Sequence, residues 1–282
     1  MTYFADRTFV LNYSQDNDIE NLREVLDRVT LTDSDGKRSH NWFKDKDGYT
    51  ALMVAVNKGH IECVKLLLEY NAAQIVGEKE FVTGKTCCHM ASAKGYNEIL
   101  KLILDAKADP NSQQNNGNTP LIWACANGHV ESTQLLIQYG ADVNILNRDN
   151  WSPAIFAAHN NHIECLKIII NNANLDIQTT DGYTALHYSV GLQLADITTL
   201  LLEHNCRRDL KNIANKVPAE LAKTDQIKAL LDCSMEDLKN CKNDDLYFYK
   251  KLCDREDVSN DTLRVVLRKV LDTLTELKSN LK

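Results

Sequence analysis

Asn116-Gly117-Asn118-Thr119-Pro120-Leu121 opens a segment that runs through Gly128-His129-Val130-Glu131 and Leu135-Leu136-Ile137 and closes on Gly140-Ala141-Asp142-Val143-Asn144. Its chemistry is that of a turn leading into a helix. Glycine enters φ > 0 at little cost. The Thr119 hydroxyl can accept a backbone N–H and cap the helix that follows. Pro120 falls on the first helical position, where a missing N–H costs nothing. Gly128 interrupts the helix, and Leu135, Leu136 and Ile137 place an apolar face on a second one. Gly140 suits the left-handed residue that ends a helix.

The same phrase recurs along the chain. Gly48-Tyr49-Thr50, Gly84-Lys85-Thr86 and Gly182-Tyr183-Thr184 fall into register with Gly117-Asn118-Thr119, and Asn150-Trp151-Ser152 fills the remaining slot at intervals of 36, 33, 33 and 32 residues. Asn is the next most tolerant residue after glycine at φ > 0. Ala55, Ala91, Ala124 and Ala157 give each first helix a narrow side. Second helices bury Val64, Leu67 and Leu68 in the first unit and Leu166, Ile169 and Ile170 in the fourth.

This pattern resembles the ankyrin repeat, whose motif combines T-P-L-H-x-A, G-H and a closing G-A-D-V-N. The resemblance covers about residues 45–231. It implies an all-α repeat solenoid of five helix-turn-helix units with hairpin loops and capping helices, to which apolar spacing beyond the resemblance adds a C-terminal helical tail. The expected layout is an N-terminal capping pair and turn over 1–41, repeats over 42–233 and an extension over 234–282. Within the array the units fall at about 47–79, 83–115, 116–148, 149–180 and 181–214, with a truncated unit at 215–233. Two units depart from the pattern. Cys87-Cys88 stands where Pro-Leu is usual, after a long linker from Gln74 to Thr83 that predicts an enlarged loop. Gly191-Leu192-Gln193-Leu194 replaces the usual ending in Gly-His, which puts that inter-helix turn in question.

A one-dimensional array needs capping units with a polar outer face. Phe9 to Val29 reads as such a helix pair, with Leu22, Val25, Leu26 and Val29 on its second member, and Asp33-Ser34-Asp35-Gly36 marks a turn. In the tail, Leu263, Val266, Leu267, Val270, Leu271, Leu274 and Leu277 recur at helical spacing. That helix either folds back on the last repeat or docks a second partner or another copy through 259–281.

Composition narrows the function classes. The chain of 282 residues is 44% hydrophobic and 25% charged, with a net charge of −7. An acidic chain without a basic, aromatic-interleaved cluster is a poor match for a phosphate backbone, so no nucleic-acid partner is expected. No apolar run reaches membrane-spanning length and the first ten residues lack a signal-peptide core, so a cytoplasmic protein without membrane insertion is expected. Nine cysteines, an odd number, argue against a disulfide framework and read as buried thiols. No paired C-x2-C or H-x3-H spacing supports a metal site, and no cofactor is implied.

Catalysis needs clustered, tuned groups, and neither a nucleophile elbow, a zincin motif nor a phosphate loop occurs, so no enzyme activity is expected. The resemblance places His89 and His187 in the T-P-L-H slot and His60, His129 and His162 in the Gly-His slot, both structural. Binding remains. In such arrays the hairpin tips and one face of the first helices form an extended concave surface. The residue after the T-P-L-H slot is Val54, Met90, Trp123, Phe156 and Tyr188, and the hairpin residue is Tyr49, Lys85, Asn118, Trp151 and Tyr183. These aromatics read either as a hot-spot strip for a partner protein or as partly buried core. Lys58, Lys94, Asn127, Arg148 and His159 would form the rim. The chain is therefore expected to be a protein-interaction adaptor or scaffold. The second reading is an effector of an intracellular microbe acting in the host cytosol, or an adaptor whose tail recruits another component; Asn160-Asn161 and Asn171-Asn172 fit an AT-rich genome. Asn144 also resembles the ankyrin asparagine modified by the oxygen-sensing asparaginyl hydroxylase, with Leu136 eight before it, Asp142 two before and Val143 one before; Asn111 matches less well.

Overall fold

The computed structural model describes residues 2–29, 31–32, 38–39, 44–70 and 75–232. The extension over 234–282, with the helix expected at 259–281, and the turn expected at Asp33 to Gly36 lie outside the described residues. The chain divides into two compact units, Met1–Ala173 and Asn174–Lys282.

Met1–Ala173 starts with α1 (Thr2–Asp16) and α2 (Ile19–Val29), followed by a two-residue antiparallel pair, β1 (Leu31–Thr32) with β2 (Arg38–Ser39). The all-helical expectation omits this pair, which is too short to show a period-2 pattern. Four helix pairs follow: α3 (Ala51–Lys58) with α4 (Ile61–Glu69), α5 (Cys87–Lys94) with α6 (Asn97–Asp105), α7 (Pro120–Asn127) with α8 (Val130–Gln138), and α9 (Pro153–His159) with α10 (Ile163–Ile169). First helices pack on first helices and second on second, and α1 and α2 lie against α3 and α4. Helices of seven to nine residues are too short to persist alone in water, so each depends on its neighbours. Ala55, Ala91, Ala124 and Ala157 are fully buried where first helices meet, and Leu67, Leu100, Leu136 and Leu166 where second helices meet.

The local signals explain the boundaries. Thr50, Thr119 and Ser152 each accept the N–H of the residue three on, at 3.2 Å. Gly59, Gly95 and Gly128 end the first helices with φ of 81, 69 and 73°, and Asn161 fills that position in the fourth pair at 61°. The long connection before α5 carries Val76 inward and leaves Phe81 and Val82 62% and 69% exposed.

Asn174–Lys282 contains α11 (Ala185–Gly191), α12 (Ala195–Glu203), a 3-10 helix (Pro218–Leu221) and α13 (Asp225–Asp232). The turn that the sequence put in question is retained. Gln193 takes the left-handed position, with φ 61°, that glycine holds elsewhere. Its side-chain oxygen accepts the N–H groups of Lys223 and Thr224, at 3.2 and 3.0 Å, which hold it there.

Candidate functional site

The hairpins that carry the candidate binding residues are braced from within. Asp45 accepts the N–H groups of Asp47 and Tyr49, and Asn147 those of Asp149 and Trp151. Buried Glu80 accepts from Val82, Thr83 and Lys85, at 2.7 to 3.0 Å. Asn212, in the other compact unit, accepts from Ala214 and Lys216. Sequence reading missed this position. Its signal is a polar side chain three or four residues before the left-handed residue of the hairpin, here Gly48, Gly84, Asn150 and Asn215. Within Met1–Ala173 the tips are joined by main-chain bonds from Phe81 N to Asp47 O, Asn115 N to Thr83 O and Arg148 N to Asn116 O.

The hairpin aromatics Trp151 and Tyr183 pair at short range with rings of their own repeats. Trp151 lies 4.7 Å from Phe156, ring to ring, and 5.3 Å from His159 in an edge-on arrangement. Trp123 donates its indole N–H to Gln114 Oε1 at 2.9 Å, and the Lys85 ammonium sits 4.8 Å over its ring. In Asn174–Lys282, Tyr183 lies 5.2 Å from Tyr188 and 5.4 Å from His187. Trp123, Trp151, Phe156, Tyr183 and Tyr188 are all half-buried, as are Tyr49 and Lys85. Trp151 and Tyr183 thus lean on the first helix beside them and stay half-buried.

Asn118 is a correction. Its side chain is 6% exposed and its Oδ1 accepts from Asn147 Nδ2 at 2.9 Å, so it joins two hairpins from inside and offers no tip for a partner. Met90 is buried too. Lys58, Arg148 and Asn127 are exposed, but two rim residues also hold the array together. Lys94 Nζ donates to Asn57 O at 2.8 Å, and Asn127 Nδ2 to Ala93 O at 3.0 Å. Asn160, which the sequence reading passed over as a rim residue, repeats that bond to Ala126 O at 2.7 Å.

The histidines occupy two kinds of structural place. His89 Nδ1 accepts the Thr86 N–H at 3.2 Å, so the proton lies on Nε2, which donates to Asn118 O at 3.0 Å. His187 repeats the pair with Thr184 N–H and Lys216 O. Burial pushes His89 down to about 4, with Lys79 and Lys85 adding to the shift, and burial lowers His187 as well. The Gly-His histidines bond to carbonyls of the preceding unit: His60 to Ser14 O and His129 to Ala93 O. Asn144 is exposed; its N–H donates to Asp142 Oδ1 at 2.8 Å and its Nδ2 to Asn172 O at 3.0 Å. Cys63, Cys87, Cys88, Cys125, Cys165 and Cys206 are free and buried. Among the described residues no group of three or more His, Cys, Asp or Glu could hold a metal, and no helix is long and apolar enough to cross a membrane.

Short helix pairs that expose side chains at the same position of successive units form a protein-interaction module. The family model for ankyrin repeats matches residues 14–114, 75–147, 139–212 and 155–245, and the chain belongs to the ankyrin-repeat family, whose members are typically non-enzymatic. Over 189 residues it is 29% identical to neurogenic locus notch homolog protein 1 of Homo sapiens, covering 62% of this chain and 7% of that protein. Over 73 residues it is 38% identical to protein phosphatase 1 regulatory subunit 27 of Mus musculus, covering 26% of this chain and 46% of that one. The chain thus spans less than half the length of these relatives. The ankyrin repeat domain of Bcl-3, a member of the IkappaB protein family, shares the fold with a TM-score of 0.68 and 22% identity, covering 80% of this chain and 98% of that domain.

Proposed function

We propose that the chain is an adaptor or scaffold that binds a partner protein in the cytoplasm, through the concave side formed by hairpins and first helices. The observation that supports this reading is the half-buried aromatic at successive repeats: Trp123, Trp151 and Phe156 in one compact unit, Tyr183 and Tyr188 in the other. Aromatic residues that a partner can finish burying are among those that dominate interface energetics. Lys58, Lys94, Asn127, Arg148 and His159 flank them. Replacing Trp123 and Phe156 together by Ala is expected to cost about 2 kcal/mol or more of partner affinity per residue. Affinity capture with the intact chain and with this variant, beside circular dichroism of both, tests the reading. Loss of the captured protein with unchanged helicity supports it; equal capture, or loss of helicity, assigns the rings to the core.

Two finer roles extend the proposal. Residues 259–281 would recruit a second partner or another copy, and a chain ending at Cys233 would then lose one captured component and keep the other. Asn144 would accept one oxygen from the asparaginyl hydroxylase of an animal cytosol. Its exposure supports access, and intact-peptide mass spectrometry after incubation with that hydroxylase reads the outcome.

A further inference from the structure

Carboxylates are segregated between the two helical layers of Met1–Ala173, whereas lysines occur on both. The chain carries a net charge of −7, yet α3, α5, α7 and α9 contain Lys58 and Lys94 and neither Asp nor Glu. The second helices hold the carboxylates: Glu62, Glu69, Glu98, Asp105, Glu131 and Glu164. On the hairpin side, the carboxylates of Asp45 and Glu80 are bound to backbone N–H groups of their own turns. Asp47 and Asp149 remain exposed at the tips, beside exposed Lys46 and Arg148.

Geometry lines the cations up. The bonds from Lys94 to Asn57 O, Asn127 to Ala93 O and Asn160 to Ala126 O set the C-terminal ends of α3, α5, α7 and α9 side by side. Lys58 and Lys94 therefore stand one repeat apart, and the Lys85 ammonium lies over the Trp123 ring between tip and helix. Packed helices are about 10 Å apart, and an extended chain advances about 3.3 Å per residue. One repeat thus corresponds to about three residues of an extended peptide.

We propose that this face receives an extended acidic segment of a partner protein, with carboxylates about three residues apart against Lys58 and Lys94, Lys85 adding positive charge at the hairpin end of the same repeat as Lys94, and apolar side chains against Trp123 and Phe156. This rests on the interaction-adaptor reading and specifies the chemistry of its partner. The helix-terminal lysines also complement the helix dipole, a role that would leave binding indifferent to the sign of a ligand.

Three labelled peptide series of about 12 residues test it on the full chain by fluorescence anisotropy, each with Phe and Leu fixed and with Glu, Gln or Lys at every third position. The Glu series is expected to bind about tenfold tighter than the Gln series, a difference of about 1.4 kcal/mol shared among the ion pairs to Lys58, Lys94 and Lys85. The preference is expected to fade at high salt. The triple variant Lys58→Gln, Lys85→Gln, Lys94→Gln is expected to abolish the preference. The triple variant Lys65→Gln, Lys101→Gln, Lys167→Gln, on the second helices, is expected to retain it. Equal binding of the Glu and Gln series, equal loss in both triple variants, binding of a single-stranded polyuridine as tight as that of the Glu series, or no binding of any series overturns the acidic partner. If partner capture still depends on Trp123 and Phe156 in those cases, the adaptor reading stands without it.

Discussion

His89 is held neutral by its two bonds. Its Nδ1 has to accept the Thr86 N–H, so a second ring proton would face a donor. Burial, with Lys79 and Lys85 adding to it, brings the imidazole down to about 4, against about 6.5 in an unfolded chain. Between those values the unfolded chain binds more protons than the folded one. Stability is therefore complete above about 6.5 and falls as pH drops toward about 4, by about 3 kcal/mol from this residue. His187 adds in the same direction. Urea midpoints measured at pH 7.5, 6 and 5 are expected to decline steadily. A midpoint independent of pH over that range would remove these histidines as buried neutral groups. The thiols are governed by burial as well, which pushes Cys63 up to about 11 and Cys87 and Cys206 up to about 12. A thiolate is the reactive species, so an aromatic disulfide reagent at pH 8 is expected to leave Cys63, Cys87, Cys88, Cys125, Cys165 and Cys206 unmodified until denaturant is added. Peptide mapping of the folded protein checks this; rapid labelling of Cys125 would contradict it.

At the scale of the element, the turn between paired helices depends on a residue at φ > 0 lying under the next unit. A methyl group added to Gly95 would meet His129 Nδ1 at 2.6 Å, on backbone already at φ 69°. Gly95→Ala is expected to cost about 2 kcal/mol or more. Gly77, which has nothing within 4 Å of an added methyl, is the internal control, and Gly77→Ala is expected to be neutral or to stabilise by about 0.5 kcal/mol. Equal effects of the two substitutions in chemical denaturation would refute the packing account. Glu80 braces its hairpin through three main-chain N–H groups, so Glu80→Ala is expected to cost about 1–3 kcal/mol, read by the same denaturation curves.

Across the whole molecule, stability in a repeat array is the sum of units and their nearest-neighbour interfaces. Buried Leu22, Val25 and Leu26 belong to α2, which packs on α4, where Cys63, Val64 and Leu67 are fully buried. Leu26→Ala is expected to destabilise by about 2–4 kcal/mol, lowering Tm by roughly 5–10 °C. Calorimetry of the full chain measures this, and an unchanged Tm would show that α1 and α2 do not couple to the repeats. The period carries most of this architecture in the sequence: glycine, then Thr or Ser two residues on, then a second interruption before an apolar helix. The bracing residues Asp45, Glu80, Asn147 and Asn212 share that period, yet their identities change from unit to unit. A search for a fixed residue type passes over them, whereas a search for a side-chain acceptor before each left-handed glycine or asparagine finds them.

The sequence by itself determined the repeat, its helix starts and the slots that its histidines occupy. Each of those is written in residues a few positions apart, where backbone geometry and capping act locally. Gln193 shows the limit of that reading: its left-handed backbone is held by Lys223 and Thr224, about thirty residues away. The tertiary structure alone decided which members of the expected binding face are presented. Asn118 and Trp123 both lie at variable positions of one repeat. Asn118 is drawn inward by Asn147, whereas Trp123 stays half-buried with the Lys85 ammonium over its ring. The partners that settle those fates stand in neighbouring repeats, and only packing one repeat against the next sets whether a polar group bonds within the array or faces a partner.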